Sequence, residues 1–366
     1  MTSRKSAAGL FDLLATLHLA AESQEAGCAD RLQAVLRTVH EMSDSQFEEL
    51  LSFAELQRVQ LRTLTILANA VAESESRRDL VEQRLSQELA QTQNAVLQWS
   101  RIVAALEDHG ISVMVIKTLD HWPDIGSDLD LFSMAPAGEI CQVMAGSLRA
   151  SILPQSWGDR LACKWNFKVP GLSQPVEIHV QRLGQTGEQR SLPLHLLESC
   201  GRREVHGQSF RVPSPEHQVA IVALQRMYRH FYIRLTDIVN VAKLLRASAV
   251  DFQRLRQITE PIALWPGIAT LLQIVCDYSE HYGATPLSVP AEVQAGACFT
   301  EGSTYVDQQF LRIPVMPQAT GLYCRQWGKT AASRNFRSLS RLSLLPLLAA
   351  AAMVSFRLTG NDKGIW

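Results

Sequence analysis

Residues 111–132 read ISVMVIKTLDHWPDIGSDLDLF, and their reading decides the fold. Upstream, apolar residues recur every three or four positions. At Ile111 the period becomes strand-like: ISVMVIKT is a short, β-branched run of the kind that forms a buried strand. DLDLF follows after a polar turn. Side chains of a strand alternate between faces, so Asp128 and Asp130 point one way while Leu129 and Leu131 face a core. Two carboxylates side by side raise each other's pKa unless a cation lies between them. Mg²⁺ suits that place, because it prefers hard oxygen ligands and retains water.

Downstream, KWNFKV (164–169) and PVEIHV (175–180) alternate as strands, with VPGLSQP turning between them, and QSFRV (208–212) reads as a small edge strand. Glu177 and His179 share one face of their strand. If that strand neighbours DLDLF, then Asp128, Asp130 and Glu177 converge. Such a set can hold two metal ions, which polarise an attacking hydroxyl and stabilise a leaving pyrophosphate. Taken alone, the same alternation also fits a solvated strand face. From Ser214 the period is helical again, with Ser214 placed to cap and Pro215 at the first helical position. Arg226, Tyr228, Arg229 and His230 end the first of these helices, where cations are favourable without any ligand. Arg234 and Asp237, three apart, are expected to pair.

Residues 287–320 carry several Pro and Gly and no long period. Arg325, Lys329, Arg334, Arg337 and Arg341 follow with no acid among them, and then LSLLPLLAAAAMVSF (342–356). That run is short for a bilayer and contains Pro346. It reads first as a packed C-terminal helix and second as a weak membrane-surface contact through 325–358, with no transmembrane span. At the other end, residues 8 to 110 read as all-helical. Their last helix shows a stripe of Leu80, Leu85, Leu89, Val96, Trp99, Val103 and Leu106, and Gly110 stops it. The polar AESESRRD (72–79) reads as a turn or an exposed first helical turn. The N-terminus reads as an amphipathic helix rather than a signal peptide.

Hydrophobic residues make up 46% of the 366 and charged ones 19%, enough apolar material for a core. A net charge of -1 does not imply wholesale nucleic-acid binding. Seven cysteines without a CxxC pair argue against a zinc ribbon or disulfide framework and for a cytoplasmic home. No P-loop, GxGxxG or GxSxG motif is present. The expected divisions are a helical region 1–95, a mixed domain 96–212, a helical region 213–286 packed on it, and an extension 287–366.

This order of elements resembles the DNA polymerase β-like nucleotidyltransferase superfamily, above all its uncharacterised bacterial branch. There a helical region leads to a Leu-Lys-Gly turn, then Asp-Ile-Asp-Leu-Leu-Val, and a later strand gives a third acid. Here Ile116-Lys117-Thr118 stands at the turn, Asp128 and Asp130 match the paired acids, and Glu177 matches the third. Glu177 with His179 fits the branch's Glu-x-His strand, and Arg234 with Asp237 its later basic residue near an aspartate. The likeness is specific over about 111 to 240. It implies an α+β fold, a small, mixed and mainly antiparallel sheet of nucleotidyltransferase-like topology, flanked by N- and C-terminal helical regions.

It further implies Mg²⁺- or Mn²⁺-dependent transfer of a nucleoside monophosphate from an NTP, such as ATP, to an acceptor hydroxyl on a small molecule, protein or RNA. Asp128 and Asp130 would bind metal. Glu177 would complete the site and help deprotonate the acceptor. Lys117 and Thr118 would meet the triphosphate. Gly126 and Ser127 would form a second phosphate-facing turn or the bend into the strand. Lys164 and Lys168 would lie beside the acids or on an exposed face, and His179 would orient an acid or contact substrate. One departure stands out: Thr118 replaces the branch's glycine, and a β-branched residue does not take φ > 0 cheaply. The alternative is an inactive member of the same fold that binds or scaffolds.

Overall fold

The computed structural model describes residues 2–22, 26–70, 75–283, 286–307 and 309–359. Five helices come first: α1 (Thr2–Ala21), α2 (Ala26–Glu41), α3 (Asp44–Leu56), α4 (Gln60–Ala70) and α5 (Glu75–Asp108). Helix α5 begins inside the AESESRRD stretch, whose residues 72–74 lie outside the described ones. Its 34 residues span ~51 Å at the α-helical rise. The expected apolar stripe is divided between two cores. Val81 lies in one, with Leu80 and Leu85 packed against it, while Val96, Trp99, Val103 and Leu106 lie in the other. Leu89, between the two sets, is 45% exposed.

The mixed α/β part contains β1 (Val113–Val115), β2 (Leu129–Ser133), α6 (Ala137–Gly146), β3 (Ser151–Ile152), α7 (Trp157–Ala162), β4 (Lys164–Lys168) and β5 (Val176–Val180). The strands form one sheet in the order β1-β2-β5-β4-β3. Only the central β2–β5 pair is parallel, so the sheet is mixed and mainly antiparallel. Both of its faces are covered. Val113, Val115, Leu129, Leu131, Val176 and Ile178 join the core of α5 and α6, while Met114, Ile116 and Phe132 join the larger helical core. By strand alternation Asp130, Glu177 and His179 lie on this second face.

After β5 come α8 (Leu192–Glu198), β6 (Cys200–Val205), β7 (Gln208–Pro213) and α9 (Pro215–Gln225). QSFRV is not an edge strand of the main sheet. It pairs with β6 in a separate hairpin, from which Arg211 donates to Ser112 Oγ at 2.5 Å, just before β1. Ser214 sits at the N-cap of α9, but its hydroxyl bonds the side chains of Glu216 (2.7 Å) and His217 (2.9 Å) rather than a backbone N–H. A π-helical turn, Arg226–His230, leads into β8 (Tyr232–Ile233), α10 (Leu235–Arg246), α11 (Phe252–Thr259), α12 (Trp265–Gly283) and α13 (Ala291–Gly296). Helices α9, α10 and α12 share the larger core with α1, α3 and α4, so the N-terminal helices pack over the sheet with those of residues 215–283.

In the segment without a readable period, β9 (Tyr305–Asp307) and β10 (Phe310–Arg312) add to β8 in a three-stranded antiparallel sheet. The chain continues through α14 (Thr320–Ala332), α15 (Phe336–Leu342) and α16 (Leu345–Thr359). Among the described side chains of α16 none is buried, and Leu345, Leu348 and Ser355 are half-buried. Among the described residues no helix is long and apolar enough to cross a membrane.

Candidate active site

The site starts at the turn after β1. Thr118 N–H donates to Ile116 O at 2.6 Å, and Lys117 between them has φ 60° and ψ −55°. That is a γ-turn in its rare, strained form. The positive φ therefore falls on Lys117, not on Thr118 as the glycine comparison suggested. Thr118 is 2% exposed, and its hydroxyl accepts from Asp130 N–H at 2.8 Å and donates to Asp128 O at 3.3 Å. It ties the turn to the start of β2, which leaves its hydroxyl committed.

Register brings the acids together. Asp130 lies opposite Glu177 across the parallel β2–β5 pair, and Lys164 of β4 lies opposite His179. The Lys117 ammonium bonds Asp130 Oδ1 and lies 3.6 Å from Glu177 Oε1. Lys164 Nζ reaches Glu177 Oε2 at 2.6 Å and Asp159 Oδ1 at 3.1 Å. His179 Nε2 is 2.8 Å from Glu177 Oε1 and 3.3 Å from Asp130 Oδ1. The ligand atoms of Asp130, Glu177 and His179 all lie within 4.8 Å of one another, so they could hold a metal ion.

Burial pushes the Glu177 carboxyl up, but Lys117, the His179 hydrogen bond and Lys164 outweigh it and hold the group well below the usual range. Burial likewise lowers Lys117, and Asp130, Glu177 and Asp128 reverse this to a net rise. Asp128 is different. Burial, and next the charge of Asp130, push its carboxyl up to about 6, and its side-chain partner is Ser127 Oγ at 3.1 Å. Asp128, Asp130, Asp159 and Glu177 are four carboxylates against the two ammoniums of Lys117 and Lys164. That leaves two negative charges when His179 is neutral. Lys117 already meets Asp130 and Glu177, which leaves Asp128 the least compensated of the four.

Asp128 and Asp130 line a cleft of about 200 Å³ together with Lys117, Thr118, Gly126 and Ser127. Glu177 lies on the same side of the sheet but behind Lys117, outside the cleft lining. Gly126 and Ser127 form the bend before β2 and also line an adjoining polar hollow of about 420 Å³ that includes Glu55, Glu88, Thr92 and Gln174. Lys168 is exposed and pairs in register with Ser151 at the far edge, away from the acids.

The opposite wall of the cleft consists of Arg58, Arg226, His230, Tyr232 and Arg234. Arg226 and Asp237 are 1% exposed and form a bidentate pair at 2.6 and 3.2 Å. Asp237 also accepts from the backbone N–H of Arg234 at 2.8 Å. The expected Arg234–Asp237 side-chain pair is thus replaced by Arg226–Asp237, and the Arg234 guanidinium donates instead to Tyr232 OH at 3.4 Å. That group lies 5.6 Å from the Tyr232 ring and 5.7 Å from that of Phe310, and the two rings stack at 4.5 Å. Burial, together with the nearby charges of Arg226 and Arg58, makes Arg234 a weaker proton holder, although Tyr232 and Asp237 oppose this. Its buried Nε finds no hydrogen-bond partner among the described residues. Sequence reasoning missed Arg58, Tyr232 and Phe310. Arg58 sits with φ 58° in the break between α3 and α4, a position no periodicity marks.

No family model matches the chain, and no curated protein matches it. Among solved structures, the chain is similar to the crystal structure of an antigenic nucleotidyltransferase-like protein from Paracoccidioides brasiliensis. The identity is 18%, the TM-score is 0.36, and the match covers 54% of this chain and 95% of that one. At that score the site rests on its own strand register and side-chain geometry.

Proposed function

We propose that this chain is a Mg²⁺-dependent nucleotidyltransferase that moves a nucleoside monophosphate from an NTP to an acceptor hydroxyl. The observation that carries the reading is the cleft itself: Asp128 and Asp130 on one wall, and Arg58 and Arg234 on the other with no ion pair among the described residues. A polyphosphate with its metal matches both walls, because anions need the arginines and the excess carboxylate charge needs a cation.

In this reading Asp128 and Asp130 would hold the divalent ion, which when bound supplies Lewis-acid polarisation and balances charge on the leaving pyrophosphate. Arg58 and Arg234 bind the phosphates, with Arg234 kept in place by Tyr232 and Phe310. Arg226 is fixed by Asp237 and shapes the wall. Glu177, held ionised by Lys117, His179 and Lys164, is poorly suited to take a proton and serves as a fixed anion that orients them. Without a cation, burial and the charge of Asp130 push the Asp128 carboxyl up to about 6, and a bound divalent ion would hold it ionised. The polar hollow beyond Gly126–Ser127 gives the acceptor a place next to the reacting phosphate.

The contact of Lys117 with Asp130 favours a second reading, an inactive binding module in which an internal ammonium replaces the metal. Transfer of label from α-³²P-NTPs to cell-extract acceptors separates the two. The enzyme reading expects Mg²⁺-dependent label transfer that Asp130→Asn abolishes. Nucleotide binding without transfer in any extract supports the binding module, and neither binding nor transfer removes the nucleotide reading altogether.

A further inference from the structure

Between Asp307 and Asp362 the chain has no acidic residue and seven basic ones. Helices α14 to α16 occupy most of this stretch, and α15 is fixed to the body. Arg341 is not a surface cation: its guanidinium donates to Leu161 O at 2.7 Å and Thr186 O at 2.8 Å. Ser338 Oγ donates to Glu188 O at 2.8 Å, and Tyr323 OH to Leu342 O at 3.3 Å. Arg325, Lys329, Arg334 and Arg337, by contrast, are exposed. Exposed among them are two aromatics, Trp327 at 40% and Phe336 at 71%. Trp327 reaches the start of α16 through a 3.0 Å bond from its indole N–H to Ser343 Oγ.

Helix α16 then presents Leu347 at 68%, Val354 at 55% and Leu358 at 79% exposed. Their spacing of seven and four places them in one stripe, and Leu344, 38% exposed, continues it by three residues. Fifteen residues make a helix of ~22 Å, short of a ~30 Å hydrocarbon core. An apolar stripe beside exposed cations and interfacial aromatics is the make-up of a helix lying in a bilayer surface.

We propose that α14–α16 form a docking surface for an anionic lipid bilayer, with α16 lying in the interface and Arg325, Lys329, Arg334 and Arg337 meeting the headgroups. A second copy of the chain is the poorer occupant, since a symmetric contact would bring two acid-free, basic segments together. Nucleic acid would use the cations but leave Leu347, Val354 and Leu358 uncovered.

The test is flotation of the full chain with large vesicles of phosphatidylcholine alone or mixed equally with phosphatidylglycerol. The chain is expected to float with the mixed vesicles and not with the neutral ones. Leu347→Glu with Leu358→Glu should abolish flotation, without changing the far-ultraviolet circular dichroism, because both side chains are exposed. Arg334→Gln and Arg337→Gln should each weaken binding by about fivefold, the effect of removing one interfacial cation. If the double variant misfolds, the arginine variants and the lipid comparison still decide. Equal flotation with both vesicles, or with neither, overturns the proposal. So does a concentration-dependent dimer that Leu347→Glu dissociates, or retention on RNA without flotation.

Discussion

Replacing Asp128 by Asn removes the carboxylate that the site leaves least compensated. Its folded-state pKa is pushed up from 3.8 to about 6, by burial first and by Asp130 next. Two pK units correspond to ~3 kcal/mol, and because the side chain is only half-buried, solvent screening reduces this to about 1 kcal/mol. The native state binds the proton more tightly than the unfolded chain. Wild-type stability from this group is therefore full below pH 3.8 and is lost as pH rises through about 6. Asp128→Asn, which does not titrate, should be the more stable protein at pH 8 in EDTA, by roughly 1–2 °C in melting temperature. The advantage should vanish near pH 4. With Mg²⁺-NTP the order should reverse: ligand at a hundredfold its Kd adds about 2.7 kcal/mol to the wild type and little to the variant. Melting curves by calorimetry at the two pH values, with and without Mg²⁺-NTP, measure all of this. A variant destabilised at pH 8 in EDTA would refute the reasoning, because Asp128 would then be a structural hydrogen-bond acceptor.

Three further outcomes follow from the geometry. Lys117→Met should lower apo stability by about 3 kcal/mol by leaving buried carboxylates unpaired, and Mn²⁺ should restore the variant more than it raises the wild type, as read by thermal melting. Asp237→Ala should cost about 3–5 kcal/mol in urea unfolding, since it leaves the Arg226 guanidinium buried and unpaired. Gly267→Ala places a Cβ 2.3 Å from the buried Tyr228 ring, which follows Arg226 in the π-helical turn. It should destabilise by about 3 kcal/mol in urea unfolding and weaken nucleotide binding in titration calorimetry.

What the sequence made legible follows from periodicity. The change from helical to strand period at Ile111 places β1 and β2 correctly, and the alternation of VEIHV places Glu177 and His179 on one face. Parallel pairing of β2 with β5 then puts Asp130 beside Glu177, an outcome that local pattern leaves open. The short strands were invisible: β8 has two residues and β9 and β10 three each, too few to show alternation. With them went Tyr232 of the arginine-lined wall and Phe310, which stacks on it. The Arg234–Asp237 pairing fails because proximity on one helix competes with a tertiary partner, Arg226, eleven residues earlier in the chain. Lys164 lies beside the acids, one of its two expected places, but the contact of Lys117 with Asp130 needs the neighbouring strand to be seen.

The central claim, that the cleft binds a metal-bound triphosphate between its acidic and basic walls, is tested most directly by a crystal structure with Mg²⁺ and a non-hydrolysable NTP. The account predicts a metal peak touching Asp128 and Asp130, and phosphates against Arg58 and Arg234. A nucleotide bound elsewhere, or an empty cleft with Lys117 still against Asp130 at saturating ligand, would contradict it.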